Sequence, residues 1–135
     1  MSTTRKLLLA GLGGLWLAAT PVLAHHGYSA YDMTKVVSLK GTITSYRMVN
    51  PHSQIAFDVQ AGGEVEHWVV ETGPPLRGMK AAGFTRDTFK PGELVTIYFN
   101  PSINGSHIGV LNKVEYPDGR VFTISRQAEV AGATP

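Results

Sequence analysis

The sequence contains no cysteine. Disulfides, zinc–thiolate sites and thiol chemistry are therefore excluded, so the stability of the chain has to come from packing. Any metal site has to be built from histidines, carboxylates or backbone atoms. Charged residues are also scarce, at 16% of the chain, and they include no basic block and no aromatics interleaved with Lys and Arg. The composition therefore argues against a nucleic-acid partner.

The first 24 residues have the features of a leader. Arg5 and Lys6 precede the uncharged apolar run from Leu7 to Ala19, and small residues end the segment at Ala24. This pattern is typical of a secretory signal peptide, and the run is shorter than the ~17–25 residues of a membrane-spanning helix. We therefore predict cleavage after Ala24, a periplasmic location and no stable membrane span.

Cleavage at this position changes the charge balance and the size of the folded unit. The full chain has 12 Lys and Arg against 10 Asp and Glu, and removal of Arg5 and Lys6 leaves ten of each. The remaining 111 residues of the 135 are enough for one domain. We divide them into an extended amino-terminal arm (25–35), a β-barrel domain (36–126) and a disordered tail (127–135).

Alternating apolar and polar residues predict most of the barrel strands. In the stretch from Val36 to Val59, two half-apolar strands meet at the corner formed by Asn50, Pro51 and His52, with Leu39, Gly41 and Ile43 on one face. A third strand is predicted from Val65 to Glu71, where His67 is either an interior polar group or a site residue. Thr72 to Pro75 is expected to break the sheet.

A short helix is predicted from Pro75 to Ala82, with Gly83 just past its end. Thr85 to Thr88 should form one further helical turn. Three more strands follow, and the last two are joined by the turn Pro117-Asp118-Gly119. The fold class is therefore all-β with one short helix. Because the helix follows the third strand, we predict an OB-fold-like barrel of five to six strands, with a two-sheet sandwich as the alternative.

The histidines are the most concrete candidates for chemistry. After cleavage His25 would carry the free α-amine, and His26 is adjacent. An amine and an imidazole from one terminal residue can bind the same late transition metal ion, copper in particular. His52 could complete the site if the arm folds over the Asn50 corner. Alternatively, His25 and His26 are simply the start of a mobile end, and the His52 ring hydrogen-bonds the backbone.

Other site types have less support. No G-x-S-x-G elbow and no phosphate-binding glycine loop is present, so an enzyme is unsupported, although Asp58, Glu66, Glu71 and Asp87 are carboxylates that could do acid–base work. Trp68, Tyr46 and Tyr98 are candidates for stacking a small organic or oligosaccharide ligand on the barrel face. An exposed strand edge or the arm, with Tyr28 and Tyr31, could instead bind an envelope protein.

Several stretches together resemble a family of small exported bacterial proteins of unknown function. The matching stretches are Ala24-His25-His26 with Tyr31-Asp32, Leu39 to Ile43, Asn50-Pro51-His52, Trp68 with Glu71, Gly83 to Asp87, and Lys90 to Glu93. The resemblance implies a periplasmic single-domain β-barrel and brings no established activity, substrate or catalytic residues. From the residues we expect a periplasmic binding or accessory module with a copper-type site. The alternatives are an envelope interaction barrel and a small-ligand binder.

Overall fold

The computed structural model describes residues 27–124. The predicted signal peptide with its cleavage site, the histidines His25 and His26, and the predicted tail lie outside the described residues. Within 27–124 the chain forms one short 3-10 turn, six strands and one helix: a turn at Tyr28–Ala30, β1 (Val37–Arg47), β2 (His52–Ala61), β3 (Glu64–Pro75), α1 (Leu76–Ala81), β4 (Leu94–Pro101), β5 (Ile108–Glu115) and β6 (Val121–Thr123).

The strands close into a barrel. Their order is β3-β2-β1-β4-β5, with antiparallel neighbours throughout, and β6 continues the sheet beyond β5. The ring is closed by parallel pairing of β3 with β5, from Val69 opposite Ile108 to Thr72 opposite Leu111. A closed five-stranded barrel with an added strand and a helix after β3 is the architecture of the OB-fold. The predicted fold class is confirmed.

Strand alternation sets the inner face of β1 as expected. Gly41 and Ile43 are buried and Leu39 is half-buried, while their neighbours face outward. A β-bulge between Ile43 and Ser45 then shifts the register against β2. Because the extra residue reverses the alternation, Tyr46 packs against the core instead of facing outward.

The third strand is longer than the sequence pattern indicates. The predicted break from Thr72 to Pro75 is wrong, since β3 continues to Pro75, opposite His52 of β2. β5 pairs with β3 as far as Thr72, and beyond that residue Pro75 pairs with His52 of β2. The helix consequently begins at Leu76, with Pro75 as its N-cap residue rather than its first residue.

The end of α1 follows the expected chemistry. Gly83 has a φ of 86°, and its N–H donates to the Lys80 carbonyl at 3.0 Å, while the Phe84 N–H donates to the Met79 carbonyl at 3.0 Å. This is the Schellman pattern, in which glycine takes the left-handed conformation. The segment from Thr85 to Thr88 is a hydrogen-bonded turn rather than the expected helical turn, with the Asp87 N–H donating to Thr85 Oγ1 at 3.3 Å.

The core is continuous from the barrel interior to the helix. Inward residues of every long strand contribute, and Met79, Phe84 and Phe89 join them from α1 and the segment after it. Phe89 contacts Tyr46 edge-to-face at a centroid separation of 5.0 Å, and it also contacts Phe122 at 5.3 Å. The helix, Phe84 and Phe89 therefore close one end of the barrel.

We predict that Gly41→Ala destabilises the barrel. A Cβ at this position would lie 2.5 Å from the Asp58 carbonyl oxygen and 2.9 Å from the Phe57 ring. Because one contact is to backbone, the strand pair has to shift, and overpacking of this kind costs about 1–3 kcal/mol of unfolding free energy. Urea denaturation measures the loss. Ser38→Ala, at an exposed position of the same strand, is the control and should stay within ~0.5 kcal/mol of wild type; an unchanged Gly41→Ala protein would contradict the packing described.

Candidate functional site

The amino-terminal arm lies along the segment that joins β4 to β5. Tyr31 forms an antiparallel bridge with Ser102. On either side of this bridge, the Asp32 N–H donates to the Pro101 carbonyl at 2.8 Å, and the Ile103 N–H donates to the Ala30 carbonyl at 3.0 Å. The arm is thus held by backbone hydrogen bonds of the kind that pair strands.

One buried side chain fixes the carboxyl end of the arm. Asn100, at the end of β4, is 1% exposed, and its Nδ2 donates to the Lys35 carbonyl at 2.7 Å and to the Asp32 carbonyl at 3.4 Å. A buried side-chain donor of this kind needs hydrogen-bond acceptors, and these two arm carbonyls supply them. Asn100 therefore links the arm to the barrel wall.

The arm also reaches across to the outer face of β2 and β3. The Tyr31 hydroxyl donates to Glu71 Oε2 at 3.2 Å, and Gln54 Nε2 donates to the other carboxylate oxygen at 3.1 Å. Burial of the phenol, together with the charge of Glu71 and its hydrogen bond, raises the pKa of Tyr31 to about 12. Tyr31, Gln54 and Glu71 form one polar network, which we call the arm latch.

The described start of the arm lies beside the end of β3. A narrow cleft is lined by Tyr28 and Met33 from the arm and by Gly73 and Pro74 from β3. The next residue of β3, Pro75, is directly opposite His52. His25 and His26 precede this segment and lie outside the described residues.

His52 itself has an incomplete set of partners. Its ring is half-buried, and Nδ1 is buried with no hydrogen-bond partner among residues 27–124. A buried nitrogen without a partner costs about 1–3 kcal/mol relative to a paired one. The alternative role for His52 requires its ring to hydrogen-bond the backbone at the corner. Its Nδ1 forms no such bond within residues 27–124.

The other two described histidines are not part of this region. The His67 side chain is 80% exposed, and its Nδ1 lies 2.7 Å from Asp58 Oδ1, so the expectation of an interior polar group is wrong. His107 stacks on Trp68 with ring centroids 4.4 Å apart. Within residues 27–124 no three His, Asp or Glu side chains lie close enough to hold a metal ion.

The three aromatic residues proposed as a stacking surface are not brought together. Tyr46 packs inward against Phe89, and its hydroxyl is buried without a partner in the described chain. Trp68 packs against Phe99 of the core, with its indole N–H donating to Glu66 at 2.9 Å. The Tyr98 hydroxyl donates to Glu115 Oε2 at 2.7 Å. The three rings have different neighbours and form no common face.

Sequence reasoning missed the arm latch and Asn100. Period-two alternation places Gln54 and Glu71 on the outward faces of their strands, but it does not give the register that makes them opposite each other. Asn100 is the next-to-last residue of β4. Nothing in its local pattern indicates that its side chain is buried under the arm.

The described residues thus form a small barrel of the OB type. A model of a family of unknown function (DUF6152) matches residues 14–112, from before the arm to a point within β5. The chain belongs to that family. No curated protein matches it.

Among solved structures, the barrel is similar to the mitochondrial single-stranded DNA-binding protein Rim1 of S. cerevisiae. The two are 13% identical, with a TM-score of 0.44, and the match covers 62% of this chain and 94% of that one. In the described part of the chain no helix is long and apolar enough to cross a membrane.

The arm latch predicts a pH dependence of stability. The folded pKa of Tyr31, about 12, is above the ~10 of an unfolded tyrosine. Its contribution is therefore fully present below pH ~10 and is lost as pH rises through the folded pKa. At neutral pH the free energy of unfolding of the wild-type protein should exceed that of Tyr31→Phe by about 1 kcal/mol, the contribution of one hydrogen bond.

The measurement is urea denaturation of both proteins at a series of pH values. The difference in unfolding free energy between them should shrink as pH rises through that interval, while contributions from the other tyrosines cancel. A difference that stays constant over the whole interval would show that the Tyr31 hydroxyl is not bound to Glu71.

Proposed function

We propose that the protein is a periplasmic accessory barrel that binds copper or another late transition metal at its processed amino terminus. The ligands are the α-amine and ring of His25, with His26 and His52 as further imidazole donors. The observation that carries the proposal is the position of the arm: Tyr28 shares a cleft with Gly73 and Pro74, next to the residue that pairs with His52. Sequence spacing alone gave no reason for the arm to approach that corner.

The chemistry of the surroundings favours a cation. Neutral imidazole suits copper and zinc, and a metal ion can displace the proton of an α-amine near neutral pH. The partnerless Nδ1 of His52 leaves unused donor capacity at the corner. Glu71 lies on the same outer face as His52, in the next outward-facing residue pair of β2 and β3. Its carboxylate adds a negative charge that attracts cations.

The arm latch gives this proposal a structural basis. A short terminal segment normally loses conformational entropy when it binds a metal, because it is disordered beforehand. Here the residues from Tyr31 onward are already fixed by Ser102, Asn100 and Glu71. Only the few residues before the cleft remain to be positioned by the ion, which lowers the cost of closing the site.

A Cu(II) titration tests the proposal. Protein that begins at His25, verified by mass spectrometry, should bind one equivalent, and a version with an added amino-terminal Met should bind about tenfold or more weakly because the α-amine is displaced. His52→Ala should weaken binding by a similar factor, whereas the exposed His67→Ala is the matched control and should not. Equal affinity of the processed and Met-extended proteins for Cu(II) would rule out the proposed amino-terminal site.

Rim1 is a single-stranded DNA-binding protein, but we do not expect single-stranded nucleic acid to bind to this chain. OB-folds bind oligonucleotides on the face of their second and third strands, and a basic groove follows the phosphates. In this chain β2 and β3 contain no Lys or Arg, and they carry four carboxylates, Asp58, Glu64, Glu66 and Glu71. Such a face repels a polyanion.

Fluorescence anisotropy with labelled oligo(dT) checks this expectation. We expect no binding at physiological salt, with a known single-stranded DNA-binding protein as the positive control. Binding that weakens steeply with added salt, the behaviour of phosphate contacts, would contradict the charge argument and favour a nucleic-acid function.

A further inference from the structure

A cavity of about 250 Å³ opens beside α1 and shares no lining residue with the cleft under the arm. Its lining comes from three places in the chain: the corner after β1, the helix, and the turn that follows the helix. The lining residues are Met48, Leu76, Lys80, Phe84, Thr85 and Arg86. Neither the metal-site proposal nor the barrel core accounts for this space.

The cavity has an apolar floor and a cationic rim. Met48 and Phe84 are each 8% exposed and belong to the core cluster, and Leu76 packs against that cluster. Lys80 and Arg86 are exposed at its edge. This is the composition of a small-ligand pocket, in which an apolar wall provides most of the contact and a few polar groups fix the orientation.

The two cations have no partner that explains their position. Neither Lys80 nor Arg86 forms an ion pair within residues 27–124, and no Asp or Glu lines the cavity. The neighbouring carboxylate, Asp87, is not among the lining residues. A guanidinium and an ammonium that line the same cavity are suited to a carboxylate, which the guanidinium can bind through two parallel hydrogen bonds.

The size of the space restricts the apolar part of the ligand. A water molecule takes up ~30 Å³ of liquid, so the cavity corresponds to roughly eight waters. One six-membered ring fits within this volume. We propose that the cavity binds a small organic monocarboxylate with a compact apolar body, the ring against Met48 and Phe84 and the carboxylate between Lys80 and Arg86.

Benzoate is the probe, and the methyl signals of Met48 and Leu76 in ¹H–¹³C NMR spectra of the full processed protein are the readout. A ligand of this size should bind with a dissociation constant of roughly 1 mM. Two analogues should each bind about tenfold or more weakly. Benzyl alcohol has the ring without the charge and loses the hydrogen bonds to the cations, whereas acetate has the charge without the ring and loses the apolar contact.

Substitutions separate a built site from general charge attraction. Arg86→Gln combined with Lys80→Gln should weaken benzoate binding by about tenfold or more. Arg77→Gln, at an exposed position of α1 outside the lining, removes one positive charge from the same helix and should leave the affinity unchanged.

Three results would overturn the proposal. They are no movement of the Met48 and Leu76 methyl signals with benzoate, equal affinity for benzoate and either of its two analogues, and equal weakening by Arg77→Gln and the double substitution. The unliganded spectra of the variants show whether each is folded, and because both exchanged side chains are exposed, we expect native spectra.

Discussion

The parallel pairing of β3 with β5 is the constraint on which the rest of the structure depends. Without those four residue pairs the sheet would be open, and the apolar inner faces of β1, β2 and β4 would lack a closed interior. Gly109, which pairs with Val70 at this seam, also lets β5 lie close to β4, because a Cβ there would overlap the Phe99 ring and lie 2.8 Å from the Asn100 carbonyl oxygen.

The same seam determines where the amino-terminal arm can bind. The segment between β4 and β5 has to return the chain to β3, and it does so beside Tyr31, which pairs with Ser102 and reaches Glu71 of β3. The arm therefore bridges strands on both sides of the closure. Tyr31 and Asn100 fix the direction of the arm, and its described start at Tyr28 lies beside the end of β3.

Local pattern predicted the parts of the fold that depend on local chemistry. Alternation gave the inner face of β1, and Gly83 marked the end of α1. The errors have a common cause, since each involves contacts distant in sequence. β3 runs on to Pro75, which pairs with His52 of β2, and Tyr46 turns inward after a bulge that only the pairing with β2 reveals. Alternation likewise assigns Tyr46, Trp68 and Tyr98 to faces of their strands but does not give their neighbours.

Charge is divided between the two sides of the corner from Met48 to His52. On the arm side, β2 and β3 carry only carboxylates and histidines, whereas the helix side presents Lys80 and Arg86 over an apolar floor. Exposed charges more than ~8–10 Å apart are largely screened at physiological ionic strength. Each side therefore attracts ions of the opposite sign, cations near His52 and anions beside α1. Because Leu76 follows Pro75 directly, the pairing between Pro75 and His52 also positions Leu76, which lines the cavity beside α1.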